Sequence, residues 1–96
     1  MSSTVRVVTV IGTRPDVIKL APVIWGLEAD PRFESVVVCT GQHREMIDDL
    51  LELLSVRVDH DLAIMRASQS LSQLSARLLA ALEPVLGEVK PDLVVV

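Results

Sequence analysis

Apolar residues recur along this chain with two different periods, and the alternation between them outlines the fold. Val5 to Ile11 (Val-Arg-Val-Val-Thr-Val-Ile) is nearly continuous in β-branched residues, as a strand covered on both faces reads. Gly12-Thr13-Arg14-Pro15 follows as a turn, in which glycine permits a tight bend and proline suits the first turn of a helix. Val17, Ile18, Leu20, Ala21, Ile24 and Leu27 then recur at i, i+3, i+4, i+7, which predicts a helix reaching about Ala29. Pro22 lies inside that stripe, so a kink or local break is expected near Ile18 to Pro22.

Asp30-Pro31-Arg32 stops the helix, and Glu34 to Thr40 reads as a second strand. From Gln42 to Leu54, Met46, Ile47, Leu50, Leu51 and Leu54 face one side of a second amphipathic helix with acids on the other. Arg57 to Met65 fits either an extended connection or a short strand. Ser70-Leu71-Ser72-Gln73 matches the capping box, opening a third helix that runs to about Val89 with Leu71, Leu74, Leu78, Leu82 and Val85 on one face. Pro91 ends it, and Leu93 to Val96 makes a third strand. Strands alternating with helices give an α/β class: a parallel βαβαβ Rossmann-like sheet with helices on its faces.

Composition narrows the function classes. Half of the 96 residues are hydrophobic, enough to bury a core and exclude a disordered chain. A net charge of −4 with no Lys/Arg cluster offers no electrostatic footprint for nucleic acid. The longest apolar stretch, Val17 to Leu27, is interrupted by Lys19, Pro22 and Gly26 and is shorter than the roughly 20 residues that span a bilayer, so no membrane segment is expected. The lone Cys39 rules out an internal disulfide or a thiolate zinc site, and with no signal peptide at Met1-Ser2-Ser3-Thr4 it fits a cytoplasmic protein. The closing run Pro91 to Val96, apolar with no polar tail, leads to the expectation that residues 1–96 are one Rossmann-like domain of a longer protein.

Ligands of an open parallel sheet bind beyond the carboxyl ends of its strands, where Gly12 to Lys19 and Thr40 to Arg44 fall. Neither the dinucleotide nor the P-loop fingerprint is present. What remains is Arg14 at a helix N-terminus, whose planar fork and neighbouring amides favour a diphosphate or similar anion; the alternative is a pair with Asp16 or a solvated arginine. Lys19 interrupts the apolar stripe and can join Arg14 at one anion site, or can snorkel to water. His43 opens the second helix at the same edge, with a solvated residue as the plainer reading, and His60 has a weaker claim. Cys39 reads as a buried small hydrophobe, and Trp25, Met46 and Met65 as core or interface fillers. Asp48-Asp49 and Asp59-His60-Asp61 read as solvated surface rather than metal ligands.

The run Val10 to Pro22 resembles the N-terminal signature of the non-hydrolysing UDP-N-acetylglucosamine 2-epimerases. Gly41-Gln42-His43-Arg44-Glu45-Met46, Asp61-Leu62-Ala63-Ile64-Met65 and Lys90-Pro91-Asp92 follow in that family's order. The resemblance implies the first part of a glycosyltransferase-B-like enzyme of two Rossmann-like domains, usually a homodimer, with no nicotinamide and no obligatory metal. It also implies conversion of UDP-N-acetylglucosamine to UDP-N-acetylmannosamine by elimination of UDP to a 2-acetamidoglucal and re-addition, as in polysaccharide biosynthesis. Arg14 and Lys19 match positions that contact UDP-sugar in that family. The acids at its active site are expected in later sequence, leaving the 96 residues inactive alone.

Some bacterial members bind a second UDP-N-acetylglucosamine as an activator. Gln42 and Gln69 match residues used there, with His43 beside them, whereas Glu45 and Ser68 stand where those members have glutamine and arginine. A carboxylate for an amide and a lost cation both disfavour a diphosphate at that second site. Ala63 stands where many members have asparagine. The readings competing with an epimerase are a non-catalytic Rossmann-like module that binds a phosphorylated ligand or a partner, and a sister epimerase on a related UDP-sugar.

Overall fold

The computed structural model describes residues 4–41, 44–64 and 68–96. Its elements are β1 (Val5–Ile11), α1 (Arg14–Ala29), β2 (Phe33–Cys39), α2 (Arg44–Leu53), β3 (His60–Asp61), α3 (Leu71–Val89) and β4 (Leu93–Val95). The strands form one sheet in the order β3-β2-β1-β4, and every pairing is parallel. The chain steps from β1 out to β3 and returns through α3 to the far side of β1. Right-handed crossovers then put α1 and α2 on one face of the sheet and α3 on the other.

The two cores follow the period-two alternation of the strands. Ile11, Val37 and Cys39 pack with Val17, Leu20, Ala21 and Ile24 of α1 and with Ile47 and Leu51 of α2. Val8 and Val38 point the other way, against Val89, Leu82, Val85 and Leu86 of α3. Cys39 is fully buried, as a small hydrophobe in the α1 core. No helix among the described residues is long and apolar enough to cross a membrane.

Local signals in the sequence hold closely. β1 spans the expected residues, and β2 lies one residue earlier than expected. The capping box of α3 is formed: the Gln73 amide donates to Ser70 Oγ at 3.1 Å, and the Ser70 amide donates to Gln73 Oε1 at 2.7 Å.

Other expectations are corrected or decided by the structure. Of the expected kink or local break near Pro22, the break does not occur: α1 runs as one continuous helix through Pro22. Pro22 is exposed and Ile18 is 57% exposed, so water can reach the carbonyl that the missing N–H leaves unpaired. The ambiguous segment supplies a fourth strand, β3, because Asp59 takes up the Val37 amide with its carboxylate at 2.7 Å while its own amide donates to Val37 O at 2.9 Å. The stripe on α3 is buried only toward its C-terminus. Its apolar partners Val8, Val10, Val36, Val38 and Leu62 gather around the last turns, leaving Leu71 79% exposed. Trp25 is likewise half exposed, with Nε1 donating to Leu54 O at 2.8 Å, so it ties α1 to the end of α2 without entering the core.

Candidate functional site

The strand order reverses at β1, which has β2 on one side and β4, reached by the long return through α3, on the other. In such sheets the ligand crevice opens outside the carboxyl ends of the strands at that reversal. The turn Gly12-Thr13 leads from β1 into α1 at this place.

Two contacts hold that turn. The Thr40 amide donates to Ile11 O at 2.9 Å, and a Cβ built on Gly12 would lie 2.6 Å from Thr40 Oγ1. On the other side, Asp16 Oδ2 accepts from the Thr13 amide at 3.1 Å and the Gly12 amide at 3.3 Å. Thr13 is the extended N-cap residue of α1 and forms a capping box with Asp16. The sequence carries the signal for this, since Thr13-Arg14-Pro15-Asp16 is the [ST]-x-x-[DE] pattern.

Arg14 and Lys19 are both exposed, and both lie in the first two turns of α1. Five residues of helix separate them by roughly 140° around the axis and about 7.5 Å along it. They therefore flank the helix end, where an anion above it could reach both, and are not stacked on one face. The buried stripe of α1 is narrower than its apolar residues implied, namely Val17, Leu20, Ala21 and Ile24. Lys19 stands beside it on the solvent side with Ile18.

The neighbouring loops interlock with this turn. Gly41, at φ +77°, fits against the exit of β3 so closely that a Cβ there would lie 2.6 Å from Asp61 Oδ1 and 2.7 Å from the Ala63 backbone. The Leu62 amide donates to Cys39 O at 2.8 Å and the Ile64 amide to Thr40 O at 3.1 Å. Gln69 bridges onward, its Nε2 donating to Ile64 O at 3.2 Å and its Oε1 accepting from Arg77 Nε at 3.2 Å. That gives Gln69 a place in the scaffold at this edge. Gln42 and His43 lie outside the described residues.

His60 is drawn to a different place. A cavity of about 300 Å³ opens on the α3 face toward the amino end of β1 and β2, lined by Arg6, Glu34, Asp59, His60 and Glu88. Arg6 is committed there, its Nε donating to Glu34 at 2.9 Å and its Nη1 to the Val89 carbonyl. Among the described residues no group of three or more His, Cys, Asp or Glu is placed to hold a metal ion.

A family model described as UDP-N-acetylglucosamine 2-epimerase matches residues 26–96. The UDP-N-acetylglucosamine 2-epimerases of Salmonella typhimurium and of Escherichia coli K12 are each 50% identical to the chain over 91 residues, covering 95% of it and 24% of their own length. The crystal structure of UDP-GlcNAc 2-epimerase from Neisseria meningitidis bound to UDP-GlcNAc superposes with a TM-score of 0.87 at 45% identity, over 93% of this chain and 24% of that one. The chain thus spans about a quarter of the length of the curated relatives it matches.

Proposed function

The chain belongs to the UDP-N-acetylglucosamine 2-epimerase family, and from that premise we propose that it is the N-terminal part of an enzyme interconverting UDP-N-acetylglucosamine and UDP-N-acetylmannosamine. Its own contribution is the diphosphate end of the site, through Arg14 and Lys19. The observation that carries this assignment is the position of the Gly12-Thr13 turn at the reversal of strand order, with both cations in the first two turns of the helix it opens.

In this reading the reaction expels UDP and takes it back, so negative charge grows on the diphosphate as the glycosidic bond breaks. Cations held at that point stabilise the developing charge more than the bound substrate, which is the condition for lowering a barrier. Arg14 presents a bidentate fork to phosphate oxygens, and Lys19 a point charge. Two placed cations suffice within a chain whose net charge is −4. The parent protein is read as a cytoplasmic homodimer serving polysaccharide biosynthesis, a point that sedimentation and cell fractionation can check.

Calorimetric titration of the full-length protein with UDP tests the assignment. Arg14→Ala and Lys19→Ala should each weaken UDP binding by about 10-fold or more, in line with the loss of a charge-assisted hydrogen bond. Unchanged affinity in both variants would remove these residues from the site.

A further inference from the structure

We propose that Asp16 is a positioning residue for the anion site: it clamps the Gly12-Thr13 turn and thereby fixes Arg14. The proposal rests on the reading of Arg14 given above.

A helix N-terminus normally offers several free N–H groups to an anion. Here part of that set is already used. The amides of Gly12 and Thr13 both donate to Asp16 Oδ2, at 3.3 and 3.1 Å. Pro15 has no N–H to give, and the Val17 amide donates to Thr13 O at 3.1 Å. A carboxylate seated at this end also offsets the positive pole of the helix that would otherwise attract a phosphate. Arg14 follows directly on the clamped turn.

The clamp has two jaws. Gly12 is buried, with Thr40 Oγ1 occupying the space where its Cβ would be, so the turn cannot shift toward β2. Asp16 holds it from the α1 side through two hydrogen bonds to one oxygen. Both jaws act on the peptide units immediately before Arg14, and its Cα position follows from theirs. A guanidinium recognising a diphosphate is sensitive to displacements of about 1 Å, so a loosened turn should cost affinity even with every cation still present.

The test is calorimetry of the full-length protein with UDP and with uridine, on Asp16→Ala, Asp16→Asn, Arg14→Ala and the Asp16→Ala/Arg14→Ala double variant, each first melted to establish that it is folded at the titration temperature. Asp16→Ala should weaken UDP binding by about 5- to 10-fold and leave uridine binding unchanged, because only the diphosphate end is disturbed. Asp16→Asn keeps an acceptor oxygen for the two amides and should stay within about threefold of the parent. In the double variant the loss should equal that of Arg14→Ala alone, since Asp16 acts through Arg14. Asp16→Ala binding UDP as well as or better than the parent, or its loss adding fully to that of Arg14→Ala, overturns the clamp while leaving Arg14 in the site. A parent protein that binds no UDP overturns the reading of the site and the clamp with it.

Discussion

Gly12 and Thr40 approach so closely that the side-chain oxygen of one fills the space of a β-carbon on the other, at 2.6 Å from where that carbon would be. With the Thr40 amide bond to Ile11 O, this contact joins the loop after β1 to the loop after β2. Thr40 is itself buried, so its Oγ1 has little room to swing aside. Gly12→Ala should therefore destabilise the protein by about 1–3 kcal/mol, the usual range for overpacking. Adding Thr40→Ala frees the space, and the double variant should be less destabilised than the sum of the two single changes. Thermal or urea unfolding of the four proteins in the cycle reads this directly; strict additivity would show that the two residues do not press on one another.

Thr9, in the middle of β1, is fully buried, and its hydroxyl has no hydrogen-bond partner among the described residues. Its register neighbours are Val37 on β2 and Val95 on β4. A desolvated hydroxyl with no partner costs about 1–3 kcal/mol, and valine has the same shape without it. Thr9→Val should raise stability by about 1 kcal/mol, seen as a higher unfolding midpoint with an unchanged denaturant slope. A drop in stability would mean that the hydroxyl is satisfied in the folded protein.

Features encoded within a few residues were legible in the sequence, and those created by pairing across the sheet were not. β1 is dictated by its own β-branched run, and the α3 capping box by Ser70 and Gln73, three residues apart. β3 has only two residues and owes its existence to the Asp59 carboxylate on the Val37 amide, a contact spanning 22 positions that no local pattern announces. Lys19 is legible as a cation interrupting an apolar stripe, and Arg14 as a cation at a helix N-terminus. Their flanking arrangement around the helix end, however, depends on which residues of α1 the sheet buries. Asp16 is visible in the [ST]-x-x-[DE] motif that begins at Thr13.

The turn between α1 and β2 carries its own pH dependence. Asp30 accepts from the side chain of Arg32, with Nη2 at 2.6 Å, and from its backbone amide at 2.9 Å. These bonds hold the carboxyl down from 3.8 to about 2. A carboxyl whose folded pKa is depressed favours the folded state when ionised, so the contribution is complete above its ordinary value and is lost as pH falls from about 4 to about 2. Both groups are on the surface and screened by solvent and salt, so the effect on global stability should be small. The local titration should nonetheless be clear: carboxyl-detected NMR should show Asp30 titrating near 2, moving back toward its ordinary value in Arg32→Ala and at high salt. An Asp30 that titrates normally in the parent protein would dissolve the pair.

Ala63 holds an unusual backbone conformation at the exit of β3. Its φ is +50°, the left-handed region in which a β-carbon meets the following carbonyl. Asparagine tolerates that region better than most residues, and glycine enters it at no steric cost. The Ala63 amide donates to Asp61 Oδ1 at 2.9 Å, and the two residues form the wall against which Gly41 packs. The turn is thus held in the strained conformation by contacts from both sides. Ala63 is exposed, so a substitution changes backbone preference without disturbing the core. Ala63→Gly should stabilise the protein by about 0.5–1 kcal/mol, after allowing for the greater freedom of glycine in the unfolded chain, and Ala63→Asn should fall between glycine and the parent. Urea midpoints of the three proteins settle the order. If glycine lowers the midpoint, the strain at φ +50° is smaller than the cost of glycine's freedom in the unfolded chain, and the strain argument fails.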